Sequence, residues 1–284
     1  MTDAVFYHLA SRALVRLTGD EATPLLDDIV TADISSLPQG EVRMGALLTP
    51  QGRIMFDMLF SRDDDSLLIE VDAARREQLI SRLKLYRMRR KVDISNDDRT
   101  VYAITGSAAG MRADRRFPEQ TGRFYGVAEN PLNEEVFTRL RWQHGIFEGS
   151  AELPPEKALP LEARLDLDDG ISFEKGCYIG QEVTARTRYR GLVKKSCVPV
   201  KLSASVSTPV RITADGKDAG DLLTLMDDAD GAIGVAVIRL AMLTEDAPAL
   251  HTDDGALVTP QLPPRLLPLP GTRTDNRIDT AAED

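Results

Sequence analysis

Cysteine is scarce in this chain, and the scarcity excludes a good deal. There are two, Cys177 and Cys197, with no CxxC pair and no Cys/His cluster. A disulfide framework, a structural zinc and a permanent iron–sulfur site are therefore not readable, and no permanent metal is expected. Two isolated thiols suit a reducing compartment, so a cytoplasmic location is expected. Histidine is nearly as rare: His8, His144 and His251 lie far apart. Aromatic residues make up 5%, and the one tryptophan, Trp142, reads as core. No stretch of about eighteen apolar residues occurs, and the N-terminal MTDAVFYHLASRALVRL reads as the start of a fold rather than a signal peptide, so no membrane partner is expected. Net positive charge is absent too. The chain carries -10 with a pI near 5.0, which excludes a general nucleic-acid coat but not a local basic patch. No internal repeats are found.

What is present suffices for two or three packed units in 284 residues. Residues 5–15 carry an alternating apolar pattern. A helix is predicted over about 21–30, capped by Thr18 or Asp20. The β-rich runs 42–48 and 53–60 flank Thr49-Pro50-Gln51-Gly52, the signature of a hairpin. A third strand is predicted at 67–71. A helix then runs from Asp72 with Leu79, Leu83 and Tyr86 on one face, and strands follow at 92–94 and 100–104. That order predicts an α+β layer with an antiparallel sheet. Residues 106–122 read as a loop with a short helix. Residues 134–145 read as a helix with Val136, Phe137 and Leu140 inward. Beyond Gly191 come short strands at 193–202, 210–214, 221–226 and 232–238, with turns at Asp215-Gly216, Asp230-Gly231 and Asp254-Gly255. These predict a small C-terminal β-barrel or sandwich, with Cys197 buried in its first strand. The polar end of the chain, 272–284, lacks the apolar residues that would offset its ordering entropy and is expected to be disordered.

One stretch concentrates the chemistry: Lys175-Gly176-Cys177-Tyr178-Ile179-Gly180-Gln181-Glu182, with Arg186 beyond. QEVTARTRY after Gly180 reads as a short helix, with Glu182 in its first turn. Cys177 then precedes a helix N-terminus with a cation two residues away, conditions that favour the thiolate. Most cysteines are simply small buried apolar residues, but the flanking glycines, lysine and carboxylate are poor core formers. A second feature is the basic run Arg75, Arg76, Arg82, Lys84, Arg87, Arg89, Arg90 and Lys91, opposed only by Glu77. It reads either as a solvated helix face or as a site for an anionic ligand, whether a polyglutamate tail, a phosphate backbone or an acidic protein.

K-G-C-Y-x-G-Q-E-x-x-A-R resembles the signature of the YgfZ family, folate-binding proteins that maintain iron–sulfur enzymes and are related to the glycine-cleavage T-protein, an aminomethyltransferase. Further similarity lies in Leu161-Glu162-Ala163 with Leu165, Gly170-Ile171 and Phe173, in the hairpin 45–53, in Tyr86-Arg87-Met88-Arg89-Arg90-Lys91-Val92, and in 190–194. It spans about residues 5–268. The resemblance implies a T-protein-like folate-binding module over 1–190, made of two intertwined subdomains with one at about 42–105. A C-terminal β-barrel follows over 191–268, and a disordered tail over 269–284. It implies tetrahydrofolate, or a one-carbon derivative, as cofactor. Pro160-Leu161-Glu162 matches the setting in which T-protein relatives hold the pterin ring, and a carboxylate accepts two parallel N–H bonds from an aminopyrimidine edge. A surface glutamate beside a proline is the plainer alternative. Thr31-Ala32-Asp33 resembles the family's Thr-x-Asp stretch, with Asp33 a ligand group or a turn cap. Tyr86, Arg89, Tyr178, Gly180, Gln181, Glu182 and Arg186 are also expected at the ligand, with Cys177 and Lys175 as the reactive pair.

The resemblance implies an accessory factor that assists assembly, maturation or repair of iron–sulfur clusters in client enzymes. Its partners would be the cluster assembly proteins and those clients. One thiolate does not hold a four-iron cluster, so a transient ligand or redox partner fits Cys177 best. An aminomethyl or other one-carbon transferase is the enzymatic alternative, although T-protein relatives lack the K-G-C-Y-x-G-Q-E loop. A factor linked to tRNA modification is a third, supported only by the Arg75–Lys91 run.

Overall fold

The structure, a computed structural model, describes residues 4–270. The expected disordered tail falls outside these residues from 271 onward. The chain forms two units: residues up to 141 with 146–160 and 165–183, and residues 142–145 with 161–164 and 184 onward.

The first unit begins with β1 (Val5–His8), β2 (Arg12–Thr18), α1 (Ala22–Asp27), β3 (Glu41–Leu48), β4 (Ile54–Asp63), β5 (Ser66–Asp72) and α2 (Arg76–Arg87). It continues with β6 (Asp93–Asp97), β7 (Thr100–Thr105), β8 (Arg112–Asp114) and β9 (Thr121–Gly126), after which α3 (Glu134–Gln143) follows. Among the described residues nine strands make one sheet, in the order β1-β7-β9-β8-β3-β4-β5-β2-β6. Adjacent strands run antiparallel except β3 and β8, which pair in parallel through Glu41 with Ala113 and Val42 with Asp114. This is the α+β class with an antiparallel sheet and flanking helices that the element order predicts.

The pleat sends alternate residues to opposite faces, and here it feeds two separate cores. Val15 and Leu17 of β2 and Ile69 and Val71 of β5 join one cluster with Leu25 and Leu26 of α1 and Leu79, Ile80 and Leu83 of α2. Leu14 and Leu68, from the same two strands, join the other with Val101, Ala103 and Phe137 of α3.

That second face also buries charge. The side chains of Arg12, Arg116, Arg123 and Arg141 meet the carboxylates of Asp57, Glu70, Asp114, Glu148 and Glu152 there, all of them buried. Arg123 is 0% exposed. Its guanidinium donates to Glu148 Oε1 and Oε2 at 2.7 and 2.8 Å and to Glu70 Oε1 and Oε2 at 3.2 and 3.1 Å. The Tyr125 hydroxyl donates to Glu70 at 3.1 Å. Burial alone would raise Glu148, but the guanidiniums of Arg123, Arg116, Arg141 and Arg12 outweigh it and hold Glu148 well below the usual carboxylate range.

Several local expectations are corrected. The stretch 106–122 holds no short helix but contributes β8 and the start of β9. Its buried side chains are Asp114, Arg116, Phe117 and Thr121, mostly polar, so an apolar-periodicity reading misses them. Val136 is 44% exposed rather than inward, while Phe137 and Trp142 of α3 are buried. α1 ends at Asp27, and neither Thr18 nor Asp20 is its cap, since Glu21 takes that place without a side-chain bond. No helix among the described residues is long and apolar enough to cross a membrane.

In the second unit β10 (Lys195–Leu202), β11 (Val210–Ala214), β12 (Lys217–Asp228), β13 (Gly231–Arg239), β14 (Leu250–Thr252) and β15 (Leu257–Pro260) close into a barrel. The order is β10-β13-β12-β11-β14-β15, and β15 returns to β10 through Val200 and Pro260. Closure leaves no strand edge unpaired. Cys197 is buried in β10, as its strand position predicts. The last two strands are short and flank the Asp254-Gly255 turn, which was the sequence's only sign of them.

Candidate functional site

The cysteine loop of the first unit is held by three devices. The first is a threonine. Thr31 is fully buried, donates from Oγ1 to the Gly170 carbonyl at 2.7 Å and accepts there from the Ala46 N–H at 2.8 Å. The Thr31 carbonyl in turn accepts from the Ser172 N–H at 2.8 Å. One side chain thus joins β3 to the segment that leads into the loop. In sequence it stands out only as the neighbour of Asp33, and its role was missed.

The second device is Lys175. Its Nζ donates to the carbonyls of Asp27, Val30 and Ala32 at 2.8, 2.7 and 2.6 Å. Three acceptors match the three protons of an ammonium. Two of these carbonyls lie at and just past the C-terminal end of α1, where backbone acceptors are left over and a cation is favoured. The ammonium also lies 3.8 Å from the Asp27 carboxylate and 5.1 Å from the centre of the Tyr178 ring. Burial pushes Lys175 down to about 8, against the raising effects of Asp27, Asp33 and Asp28. Its proton is therefore held more tightly in the unfolded chain, and this group makes stability rise as pH climbs from about 8 toward its ordinary 10.5. We expect urea midpoints between pH 8 and 10 to climb more steeply for the wild type than for Lys175→Met. The difference should not exceed about 1.4 kcal/mol per pH unit, the value for one proton. Equal slopes would show that the ammonium titrates alike in both states.

The third device is a pair of glycines. Gly180 has φ 81°, and a Cβ there would come within 2.8 Å of the Thr49 carbonyl oxygen and 3.0 Å of Leu48 Cβ. Gly52, in the β3–β4 turn at φ 75°, approaches Val183 so closely that a Cβ would stand 3.2 Å from it. Glycine permits both the left-handed backbone and the approach. α4 (Gln181–Tyr189) follows, over the span predicted, with Glu182 in its first turn. The Gln181 N–H donates to the Tyr178 carbonyl at 3.2 Å.

Within this frame Cys177 is exposed, while Tyr178 beside it is buried. The Tyr178 hydroxyl has no hydrogen-bond partner among the described residues, and burial pushes it up to about 12. Glu182 and Arg186 are exposed and Gln181 is half-buried. Tyr86 and Ile179 pack on the same core cluster, which brings the end of α2 and the cysteine loop to one region of the unit. Arg89 is exposed. Asp33 is half-buried, and its Oδ1 accepts from the Ser36 N–H at 3.2 Å, the geometry of a local turn. Burial would raise Asp33, but the bonds from Ser36 and the charges of Arg43 and Lys175 lower it. Glu162 belongs to the second unit, is half-buried, and accepts through its backbone carbonyl from the Cys197 N–H at 2.7 Å. Among the described residues no group of three or more His, Cys, Asp or Glu side chains is arranged to hold a metal ion.

The comparisons with known proteins agree with this architecture. Residues 3–121 match the model of the GCVT N-terminal domain, and residues 194–266 match the CAF17 C-terminal beta-barrel domain. An aminomethyltransferase T of the glycine cleavage system from Bartonella henselae superposes with a TM-score of 0.72 over 92% of this chain and 86% of its own, at 14% identity. The T-protein-like fold is thus shown. The mitochondrial iron–sulfur cluster assembly factor IBA57 of Mus musculus is 32% identical over 82% of this chain and 77% of its own. The human factor is 29% identical over 82% and 76%, and a homologue from Pyricularia oryzae 30% over 91% and 79%. These relatives carry the IBA57 name rather than YgfZ. Each is also named as mitochondrial, which overturns the cytoplasmic location expected from the cysteine content. On the mouse and Pyricularia matches the chain belongs to the IBA57 family of iron–sulfur cluster assembly factors, within the GCVT/CAF17 class.

Proposed function

We propose that this protein serves iron–sulfur cluster assembly by offering the Cys177 thiolate as a transient ligand to a cluster that a partner protein carries. The observation that carries this reading is an exposed cysteine on a loop fixed from three directions. A core thiol needs no such exposure, and a mobile loop would need no such clamps. The cluster is cargo here. A single thiolate completes a ligand set supplied mostly by another protein, and it releases the cluster because it is alone. Client iron–sulfur enzymes are the recipients. Complementation by Cys177→Ser in cells lacking the protein tests this, and failure to restore the client enzymes is expected.

We further propose tetrahydrofolate as ligand, with Glu162 accepting the aminopyrimidine edge of the pterin. The feature that favours it is the carboxylate of Glu162 at the Pro-x-Glu position. When bound, tetrahydrofolate supplies a one-carbon carrier. Glu162→Ala should weaken tetrahydrofolate binding by about 1–3 kcal/mol, the usual cost of a lost charged hydrogen bond. An unchanged dissociation constant in a calorimetric titration would remove Glu162 from the site.

A further inference from the structure

The basic run along α2 divides in two once its side chains are traced. Arg75 is spent on the Met55 carbonyl at 2.6 Å and on Gln78, Arg76 on Asp98, Arg87 on the Val92 carbonyl at 3.2 Å, and Arg90 on Asp28. The side chains of Arg82, Lys84 and Arg89 are exposed and make no hydrogen bond or ion pair among the described residues. Between them stand two large apolar side chains turned to solvent, Leu85 at 69% and Met88 at 83% exposure. Arg82 and Leu85, three residues apart, share one side of the helix. Met88 closes α2 in a left-handed backbone, φ 51° and ψ -110°. A non-glycine residue there is strained, and such strain persists at functional positions when the surroundings over-determine it. Here the residue so held has an exposed thioether. A solvated helix face has no use for either side chain, and a phosphate backbone or a polyglutamate tail has none for the apolar pair.

The C-terminal end of the basic run and the cysteine loop are anchored on neighbouring residues. α1 ends at Asp27 and is followed by Asp28; Asp27 receives Lys175 through its carbonyl, and Asp28 receives Arg90. Adjacent residues thus anchor both the loop that carries Cys177 and the basic end of α2. The residues 82–91 contain six Lys and Arg and no acid in a chain of net charge -10.

We propose that Arg82, Lys84, Leu85 and Met88 form the docking surface for the cluster-carrying partner, a protein whose acidic rim surrounds an apolar contact. This rests on the reading of Cys177 as a cluster ligand. Leu85 and Met88 supply the desolvated centre, and the cations supply orientation and encounter rate. A partner seated there brings its cluster toward Cys177.

The test uses the full-length protein in cells lacking the wild type. Variants are Leu85→Asp/Met88→Asp, Arg82→Glu/Lys84→Glu and Cys177→Ser, with a photo-crosslinking phenylalanine analogue placed at position 85 in a fourth. Both patch variants should cut client iron–sulfur enzyme activity at least ten-fold, while melting temperature, Cys177 alkylation and tetrahydrofolate affinity stay at wild-type values. The crosslink should land on an acidic protein that binds an iron–sulfur cluster and should vanish with Arg82→Glu/Lys84→Glu. Full client activity in both patch variants overturns the proposal, as does a crosslink to RNA or to a second copy of this chain. If Cys177→Ser fails to support the clients while the patch variants succeed, only the docking surface is wrong. If Cys177→Ser succeeds, the cluster-ligand reading falls first.

Discussion

Arg123→Met is expected to cost about 3–5 kcal/mol of stability, the price of breaking a buried ion pair from one side. Methionine fills the space and keeps the strand, so little of the loss comes from a cavity. What remains is Glu148 and Glu70, both buried and deprived of the guanidinium that bridges them at 2.7–3.2 Å. Arg12, Arg116 and Arg141 still hold part of the charge, which sets the ceiling on the effect. The pH dependence gives a second reading. A carboxylate held below its ordinary value contributes stability that is complete above the unfolded value, 4.5 for Glu148, and that is lost as pH falls through the folded one. Arg123→Met should therefore lower urea midpoints at pH 7 and flatten the loss below pH 4.5. A variant within about 1 kcal/mol of wild type at pH 7 would mean that the remaining arginines suffice.

Cys177→Ser is expected to abolish support of iron–sulfur enzymes while leaving the fold intact. The side chain is exposed, and substitutions at such positions stay within about 0.5 kcal/mol. Serine keeps size and polarity but gives no thiolate at neutral pH. Cys197→Ser should show the reverse, a hydroxyl placed among buried residues of β10 that costs stability without touching client activity. The measurements are complementation and thermal melting of both variants. Rescue by Cys177→Ser at wild-type level would sink the cluster-ligand role and leave the loop as a binding surface.

Much of this was legible in the residues. The Thr49–Gly52 turn, the helix after Gly180 and the turns of the barrel follow from glycine, proline and alternation, which act locally. The charged core did not show. Arg123 sits in TGRFYG, where a period-two reading looks for apolar residues on the buried face and finds an arginine. Its partners Glu70 and Glu148 are 53 and 25 positions away, so nothing nearby in sequence announces the pairing. Lys175 teaches the complementary lesson. Its closeness to Cys177 along the chain suggests a cation for the thiolate, but sequence distance does not say which way an ammonium points, and this one is engaged by three carbonyls.

Those carbonyls have a consequence for synthesis. They precede Lys175 by 148, 145 and 143 positions. At about 5–20 residues per second a ribosome needs roughly 7–30 s to bridge that interval. α1 and its turn leave the ribosome with their acceptors facing water, and the ammonium that fills them arrives near the end of the first unit. The cysteine loop is therefore assembled late, and a nascent chain presents no ordered thiol to passing metal until the unit around it is nearly complete.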